Sequence, residues 1–403
     1  MDKPVQGRQD CCTNENLSKA CSLQQEIVIQ PSMPAPVRDE ICCGSPPGPE
    51  SNFFERPGYV LQQFVKDFVD TPVGPAPRIK TELDRKDLLG KLAVRWGIRR
   101  DNYKVAPGLY CVGTPDQNAP VLVTANYKLT FDVLRRELGS INAWILVLDT
   151  RGINVWCAAG KNLFSTTEVI KRVQLTGLEK VVRHRQLILP QLAATGVSAH
   201  QVKKGSGFKV TWGPIRANSI NYFLRNNLNA DDSMRRVTFA FRERLGLVPV
   251  ELSHLVKPSL WVLLAIFLVS GIGSNIFSLA IAWPRGLMAT TAYAAGILAG
   301  ALAAPAFLPW IPGRSFALKG AITGIICGIG VILIFHTALQ FWEMVALASC
   351  TTAISSYLAM NFTGSTPFTS PSGVEKEMRK AIPMQTLAVL MAAVAWIGSA
   401  FAK

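Results

Sequence analysis

The second half of the chain alternates long apolar runs with short polar connections. Five runs lack Asp, Glu, Lys and Arg, and they cover 259–282, 287–311, 320–342, 344–362 and 382–402. An apolar run of about 20 residues spans a bilayer core as a helix. The pattern predicts five transmembrane helices, with a weak break at Glu343 between the third and fourth. Buried helices of a large soluble core are the alternative.

Basic residues predict how these helices are oriented. Those expected on one side of the membrane are Arg235, Arg236, Arg242, Arg244, Lys257, Arg314, Lys319, Lys376, Arg379 and Lys380. The opposite loops hold only Arg285 and the terminal Lys403. The positive-inside rule places the N-terminal half in the cytoplasm and the C-terminus outside. We therefore expect a multi-pass protein of the cytoplasmic (inner) membrane. Residues 1–58 lack the apolar core of a signal peptide.

The first half shows a different pattern, in which short apolar runs alternate with amphipathic ones. Buried strands are predicted within 119–126, 143–150, 184–192 and 207–213, and helices within 129–138, 165–177 and 219–228. Strands and helices that alternate at this spacing indicate a doubly wound, Rossmann-like α/β sheet. Ligands bind beyond the carboxyl ends of the strands in such sheets.

Four segments follow from these patterns. They are a flexible Cys-containing leader at 1–55, an α/β domain at 56–235, a basic linker at 236–258 and an all-α membrane domain of five transmembrane helices at 259–403. The leader holds Cys11, Cys12, Cys21, Cys42 and Cys43. These have no C-x-x-C spacing, and a cytoplasmic chain keeps them reduced. Incidental or redox-sensitive thiols and a metal or partner role remain open.

The formal charge of +15 changes the expected partners. The basic residues flank the apolar runs and the soluble face beside them, where anionic membrane lipid is the available partner. We therefore expect membrane lipid and no nucleic acid as a partner.

One thiol stands in the α/β domain at a place where ligands bind. Cys157 follows the predicted strand at 143–149 and precedes a helix that begins with a capping box, Ser165 and Glu168, and stops at Gly177. A thiol at this edge serves as a nucleophile, a metal ligand or a packed core residue. None of the four histidines stands in a recognisable Cys-His signature, and dinucleotide and P-loop motifs are missing from the sequence.

The eight residues around this thiol carry a family resemblance. Asn154 to Lys161, "NVWCAAGK", resembles the signature N-(V/I)-W-C-A-(A/G)-G-K of the mercury-methylating corrinoid membrane proteins at every position. The order of an α/β domain before membrane spans fits that family. The soluble domain also resembles the corrinoid domain of the corrinoid iron-sulfur protein. The resemblance implies a cobalamin-type corrinoid cofactor, with the Cys157 thiolate as the lower axial ligand of its cobalt and as the catalytic residue.

The resemblance also implies which other residues contact the corrinoid. They are Asn154, Val155, Trp156, Ala158, Ala159, Gly160 and Lys161. The strand-to-helix turn at 124–132 adds Thr124 and Asn126 by its position, as candidates to hold corrinoid amides or phosphate. A soft thiolate suits a transition metal, small residues leave room for the macrocycle, and Lys161 helps to keep the sulfur deprotonated. Trp156 packs beside the ring or anchors the core. Turn chemistry equally explains Thr124 and Asn126, and also 189–196, a candidate site for the nucleotide tail.

Three functions remain open. The first is a methyltransferase that moves a methyl group from a methyltetrahydrofolate-type donor, through the corrinoid, to Hg(II) and forms methylmercury. The second is a membrane-tethered methyl carrier of one-carbon or acetyl-CoA-pathway metabolism. The third, corrinoid binding or transport without catalysis, is disfavoured because the apolar runs hold few ionisable residues, His336 and the boundary Glu343.

Two further expectations concern partners and a lid. The chain has no C-x-x-C pair for an iron-sulfur cluster, so a ferredoxin-like iron-sulfur protein is expected as the electron donor. The polar loop at 361–375 is rich in Gly, Ser, Thr and Pro. We expect it to face the cytoplasm and close over the corrinoid domain; a solvated linker is the alternative.

Overall fold

The computed structural model describes residues 48–51, 57, 62–274, 276–362 and 371–402, all within the compact unit Ile41–Lys403. Almost all of the predicted leader, with its five cysteines, lies outside the described residues. The same holds for residues 363–370, the centre of the predicted lid.

The first part of the described chain is built on one seven-stranded sheet. Its strands are β1 Val65–Val69, β2 Ala76–Ile79, β3 Gly108–Val112, β4 Val121–Ala125, β5 Ala143–Leu148, β6 Gln186–Leu189 and β7 Lys209–Trp212. They are arranged in the order β1-β2-β3-β5-β4-β6-β7. The last four strands along the chain are the four predicted ones, and they are parallel to one another. The sheet is mixed, because β3 is antiparallel to β5 and β1 is antiparallel to β2.

Seven helices accompany this sheet. They are α1 Arg85–Arg95, α2 Lys128–Glu137, α3 Val155–Gly160, α4 Thr166–Leu175, α5 Leu178–Val181, α6 Ala199–Ser206 and α7 Ile220–Arg225. The amphipathic patterns found α2 and α4 within two residues at each end, and they placed α7 correctly with too long a range. The first three strands, α1 and the short helices α3, α5 and α6 were not predicted from the sequence.

Alternate side chains of the parallel strands form two cores on opposite faces of the sheet. Val121 and Val123 of β4 pack with α3, α4, α5 and α6, whereas Leu122 between them packs with α2 and α7. This alternation follows from the period of two along a strand. Because both faces are covered, the strands read as continuous apolar runs, which made them visible in the sequence.

The path of the chain reverses direction beside β4. From β4 the chain passes through α2 to β5 on one side, and from β5 it crosses back through α4 and α5 to β6 on the other side. After β4 and after β6 the chain therefore continues in opposite directions along the sheet. This leaves a crevice between the carboxyl ends of these two adjacent strands. This is the topological switch point at which open α/β sheets bind ligands.

The second part of the chain is helical. Its helices are α8 Phe241–Leu245, α9 Val248–Ser270, α10 Leu279–Ile297, α11 Ala304–Ala306, α12 Phe316–Phe335, α13 Phe341–Asn361 and α14 Pro371–Gly398. A π-helix, Leu298–Ala303, joins α10 to α11. A short hairpin, β8 Ile272–Gly273 and β9 Ile276–Phe277, joins α9 to α10.

In the described chain four helices are long and apolar enough to cross a membrane, not the five that the sequence predicted. They cover Phe241–Ser270, Leu279–Ala306, Phe316–Phe335 and Gly373–Gly398. The expected first span, 259–282, was wrong as one helix, because the chain turns at Gly271 and makes the hairpin before α10 begins. The expected fourth span corresponds to α13, a helix of 21 residues. It is less apolar than these four helices, and it packs inside the bundle.

Hydroxyl groups explain why α13 is buried although it is less apolar. Thr351 donates to the carbonyl of Ala292, and Ser355 donates to that of Gly320. The α12 backbone comes close to α13, because a Cβ added at Gly324 would lie 2.7 Å from Cα of Thr352. Small residues and interhelical hydrogen bonds of this kind hold helices together where water is excluded.

The sequence assigned Arg285 to a loop, which was wrong, and placed a weak break around Glu343, where the structure has a break at 336–340 between α12 and α13. Arg285 lies in α10 and Glu343 in the first turn of α13, and both are buried. Their side chains form an ion pair, with 3.2 Å between Nε and Oε1. Arg285 also donates to the carbonyl of Trp396 and to Ser399 of the turn that follows α14. The pair therefore connects three helices.

Candidate functional site

A cavity of about 450 Å³ lies at the carboxyl edge of the sheet, at the switch point. The ends of β4, β6 and β7 and the beginning of α3 contribute its walls. Residues that line it include Thr124, Tyr127, Asn154, Trp156, Pro190 and Pro214. We call this cavity the groove. Most of its wall is apolar, and a few polar groups come from the strand ends, which is the usual composition of a small-molecule site.

The segment Asn154–Lys161 forms the short helix α3 beside this groove. Asn154 caps the helix, because its Oδ1 accepts the backbone N–H of Cys157 at 2.9 Å. At the other end, Lys161 donates its backbone N–H to the carbonyl of Cys157 at 3.0 Å. Trp156 and Cys157 are half-exposed, and Gly160 is exposed. The motif therefore presents Cys157 on one helical turn next to the wall of the groove.

The other side of α3 faces the core. Val155, Ala158 and Ala159 are buried in the apolar cluster on this face of the sheet. A Cβ added at Gly196 would lie 2.9 Å from Cα of Ala159 and 2.4 Å from the carbonyl oxygen of Phe164. The loop after β6 thus rests directly on the backbone of α3. Packing within the protein, rather than space for a ligand, accounts for the small size of Ala158 and Ala159.

Asn126 holds the loop that leads into α3. Its fully buried Oδ1 accepts the backbone N–H groups of Thr150 and Gly152 at 3.1 and 2.9 Å and the Thr150 hydroxyl at 2.9 Å. Its Nδ2 donates to the carboxylate of Asp149 at 3.1 Å. The side chain of Asn126 is thus directed at the protein, whereas Thr124, two residues earlier in β4, lines the groove.

The expected capping box at Ser165 is present only in half. The Ser165 hydroxyl accepts the backbone N–H of Glu168 at 3.3 Å. The Glu168 carboxylate instead accepts the backbone N–H of Asp149 at 2.9 Å and pairs with Arg172. It therefore ties α4 to the same loop that Asn126 holds, and the loop before Cys157 is fixed from two sides.

Positive charge gathers near the groove. Burial raises the pKa of the Tyr127 hydroxyl, the guanidinium groups of Arg100 and Arg95 oppose this effect, and the Cys157 sulfur adds to it. Tyr127 lines the groove, so these two arginines act on a hydroxyl of the groove wall. No sequence pattern singled out Tyr127, Arg95 or Arg100, because the two arginines come from α1 and from the turn after it, before the strands that form the groove.

The donor groups of the site suit a metal that brings most of its own ligands. Within the described residues, no group of three or more His, Cys, Asp or Glu side chains is placed to hold a metal ion. Cys157 offers one soft sulfur donor beside an apolar wall. A corrinoid fits this set, because its macrocycle supplies the equatorial ligands and leaves one axial position for a protein group.

A second, larger cavity lies at the opposite edge of the sheet. It measures about 560 Å³ and is lined by amide and imidazole groups, among them Asn118, His184, Gln186 and Asn221. Several of these groups already bond to the chain. His184 Nε2 lies 2.9 Å from the carbonyl of Ala119, and Gln186 donates to Thr211. The motif residues lie at the other edge, so we assign the candidate site to the groove.

Comparison with known proteins finds relatives of the α/β domain. Residues 79–224 match the family of the CO dehydrogenase/acetyl-CoA synthase delta subunit. The gamma subunit of the acetyl-CoA decarbonylase/synthase complex from Methanocaldococcus jannaschii is 32% identical over 186 residues, which are 44% of this chain and 38% of that protein. The corresponding subunit from Archaeoglobus fulgidus is 31% identical over 150 residues, 36% of this chain and 32% of that protein.

A bacterial relative has the cofactor in its name. The corrinoid/iron-sulfur protein large subunit of Moorella thermoacetica is 29% identical over 119 residues, which are 29% of this chain and 26% of that protein. The α/β domain is therefore a relative of corrinoid-protein domains, as the sequence resemblance suggested in its broader form. The chain covers less than half the length of these relatives.

Proposed function

We propose that the protein is a membrane-tethered corrinoid protein that accepts a methyl group and passes it on. One observation supports this proposal: in a domain related to corrinoid proteins, Cys157 lies in helix α3, and Asn154, Val155 and Trp156 at the start of that helix line the switch-point groove. The apolar helices of the second half support membrane attachment. The α/β domain then lies on the cytoplasmic side, as the distribution of basic residues favours.

In this proposal the sulfur of Cys157 would bind the cobalt, and the residues of the groove would hold the macrocycle. The bound corrinoid supplies a cobalt centre that takes up and gives away a methyl group. Asn154 fixes the helical turn that carries the sulfur, and Asn126 positions the loop before it. Trp156 and Thr124 line the groove and would contact the cofactor, and Trp156 would exclude water from that side.

The relatives favour a methyl carrier in one-carbon metabolism as the physiological role. Those compared above are named as subunits of an acetyl-CoA decarbonylase/synthase complex or as a corrinoid/iron-sulfur protein. They support this role better than they support mercury methylation. They also suggest protein partners, and we include among these a ferredoxin-like iron-sulfur electron donor and a methyltetrahydrofolate-type methyl donor system.

Hg(II) as the methyl acceptor is the second candidate, and one observation favours it. The eight residues Asn154–Lys161 resemble the signature of mercury-methylating corrinoid proteins at every position. A thiolate donates more electron density than an imidazole does, and this favours delivery of the methyl group to an electrophile such as Hg(II). Methylmercury would then be the product.

Anaerobic purification of the full chain and of two variants tests the proposal. Visible spectroscopy and cobalt analysis should show a bound corrinoid in the wild type. Cys157→Ala should change the spectrum by loss of the sulfur ligand and should abolish methyl transfer. Cys327→Ala, which alters another half-buried cysteine in α12, should leave both unchanged. A wild-type protein reconstituted with corrinoid that has the same spectrum as Cys157→Ala contradicts the proposal.

A single-turnover assay separates the two candidate acceptors. The methylated protein is mixed with Hg(II), or with an acetyl-CoA synthase, and the methyl products are measured. Fast transfer to Hg(II) that depends on Cys157 supports mercury methylation. Transfer to the synthase, with slow reaction toward Hg(II) that is equal in Cys157→Ala, supports the one-carbon role.

A further inference from the structure

Helix α1 exposes a row of large apolar side chains on the surface of the α/β domain. The exposed fractions are 53% for Leu88, 64% for Leu89, 56% for Leu92, 46% for Trp96 and 58% for Ile98. Single exposed apolar residues are common on protein surfaces, but a contiguous group marks an interaction site. We call these five residues the α1 apolar stripe.

The spacing of Leu88, Leu89, Leu92 and Trp96 places these four residues on one face of α1, and Ile98 follows just after the helix. Leu88, Leu92 and Trp96 are four residues apart, and Leu89 lies next to them on a helix with 3.6 residues per turn. The opposite face of α1 is already used, because Val94 and Asp87 are buried against the domain. The stripe is therefore a second apolar face that the α/β fold does not need for its own core.

Basic residues surround this stripe. They are Arg85, Lys86, Lys91, Arg95, Arg99 and Arg100. Like charges crowd at Lys91, where burial first, and then the charges of Arg95 and Arg136, lower the pKa of the ammonium group. A surface that combines an apolar stripe with flanking cations is typical of helices that lie in the interface of a membrane containing anionic lipid.

The stripe lies next to the first of the apolar helices. A Cβ added at Gly97, just after α1, would lie 2.7 Å from Oγ of Ser253 in α9. A Cβ added at Gly246, between α8 and α9, would lie 3.3 Å from a guanidinium nitrogen of Arg95. The end of α1 therefore packs on the segment that leads into the apolar part of α9. A bilayer that contains α9 brings its surface close to α1.

We propose that the α1 apolar stripe inserts into the interfacial region of the bilayer, with its basic flanks on anionic lipid headgroups. The α/β domain then has a second attachment to the membrane besides the covalent one through α9. Buried ion pairs join α1 to α2, since Asp87 contacts both Lys128 and Arg135. Because α2 supplies part of the wall of the groove, this attachment fixes the orientation of the groove relative to the membrane.

Spin labels on the full-length chain test the proposal without any need for a bound corrinoid. The background variant has Ser in place of Cys157 and the leader cysteines. Leu92→Cys reports on the stripe, and Leu175→Cys, which replaces a side chain 59% exposed at the end of α4, is the matched control. Each labelled chain is reconstituted into vesicles of phosphatidylcholine with or without phosphatidylglycerol. Spectra of the unsubstituted background are subtracted.

Relaxation by oxygen and by a water-soluble nickel chelate shows where each label lies. With phosphatidylglycerol, the label at Leu92→Cys should favour oxygen, and that at Leu175→Cys should favour the chelate. Lys86→Gln and Arg99→Gln should each lower the ratio of docked to undocked domain about fivefold, because one basic residue near an anionic surface contributes about 1 kcal/mol. Thermal unfolding of each variant confirms that it is folded.

Two results would overturn the proposal. In one, the label at Leu92→Cys behaves like the label at Leu175→Cys in vesicles with phosphatidylglycerol. In the other, the Leu92→Cys label is shielded equally in both lipids and in detergent, and cross-linking joins it to a second copy or to the leader. The second result would assign the stripe to a protein contact.

Discussion

The carboxamide of Asn126 accepts both the backbone N–H and the hydroxyl of Thr150, at 3.1 and 2.9 Å. This relationship joins the end of β4 to the loop after β5, and that loop ends at the helix of Cys157. Adjacent parallel strands thus fix the position of the sulfur through a side chain that lies outside the groove.

Asn126→Ala should lower the free energy of unfolding by about 3 kcal/mol, because buried donors on Thr150 and Gly152 lose their acceptor. It should also weaken corrinoid binding, since the loop before α3 becomes mobile. Thermal unfolding and corrinoid content report the two effects. Asn118→Ala, at an exposed asparagine before the same strand, is the control and should change neither. Wild-type stability in Asn126→Ala would show that the loop is held by other contacts.

The two cysteines of the α/β domain should differ in reactivity. Cys111 is fully buried in β3, and burial raises the pKa of its thiol to about 11, so it stays protonated and protected at about pH 8. Cys157 is half-exposed. Iodoacetamide should therefore modify Cys157 first, as peptide mass spectrometry will show, and bound corrinoid should protect it. Modification of both residues at the same rate would mean that the sheet opens under these conditions.

The buried ion pairs of α1 and α2 predict acid sensitivity. Burial by itself raises the pKa of Asp87, but ion pairs with Lys128 and Arg135 outweigh it and hold the pKa below its ordinary value. The stabilisation is present above the unfolded-state pKa of about 4, and it is lost as pH falls through the lower folded-state pKa. The free energy of unfolding of the wild type should therefore fall in this acid range.

Asp87→Asn should remove most of this acid-dependent loss and cost about 3 kcal/mol near neutral pH, because two buried cations then share Asp132. Denaturation followed at several pH values measures both. Asp67→Asn breaks a more exposed pair with Arg78 and should have a smaller effect. An unchanged acid profile in Asp87→Asn would assign the sensitivity to another carboxylate.

The ion pair in the helical part should show the asymmetry of buried charges. Glu343→Ala leaves Arg285 buried without its carboxylate and should cost about 3 to 5 kcal/mol. The double variant Arg285→Leu with Glu343→Leu should be more stable than Glu343→Ala. Thermal unfolding in detergent micelles compares them.

The exposed pair Arg379 and Glu375 on α14 provides a control, since Glu375→Ala should change stability by less than about 0.5 kcal/mol. An equal loss of stability in Glu343→Ala and Glu375→Ala would show that the Arg285 side chain reaches water.

The sequence alone determined the parts of the protein that depend on local pattern. Apolar runs identified β4 to β7, and the runs of β4 and β5 are the most nearly continuous, because strands covered on both faces are apolar throughout. Helical periodicity identified α2 and α4, and the Asn154–Lys161 motif identified the segment that carries the thiol. The first three strands were missed: β1 and β2 lie at one edge of the sheet, and β1 has polar residues among its apolar ones, whereas β3 is as long and as buried as β4.

Only the tertiary structure decided what depends on contacts between distant segments. It directed Asn126 at the loop before Cys157, and it brought Arg95 and Arg100 near Tyr127. It also packed α13, the expected fourth span, inside the helical bundle and paired Glu343 with Arg285, which composition had assigned to a loop. Charge and polarity along a sequence do not report burial, because a buried ion pair or hydroxyl is stabilised by partners that are distant along the chain.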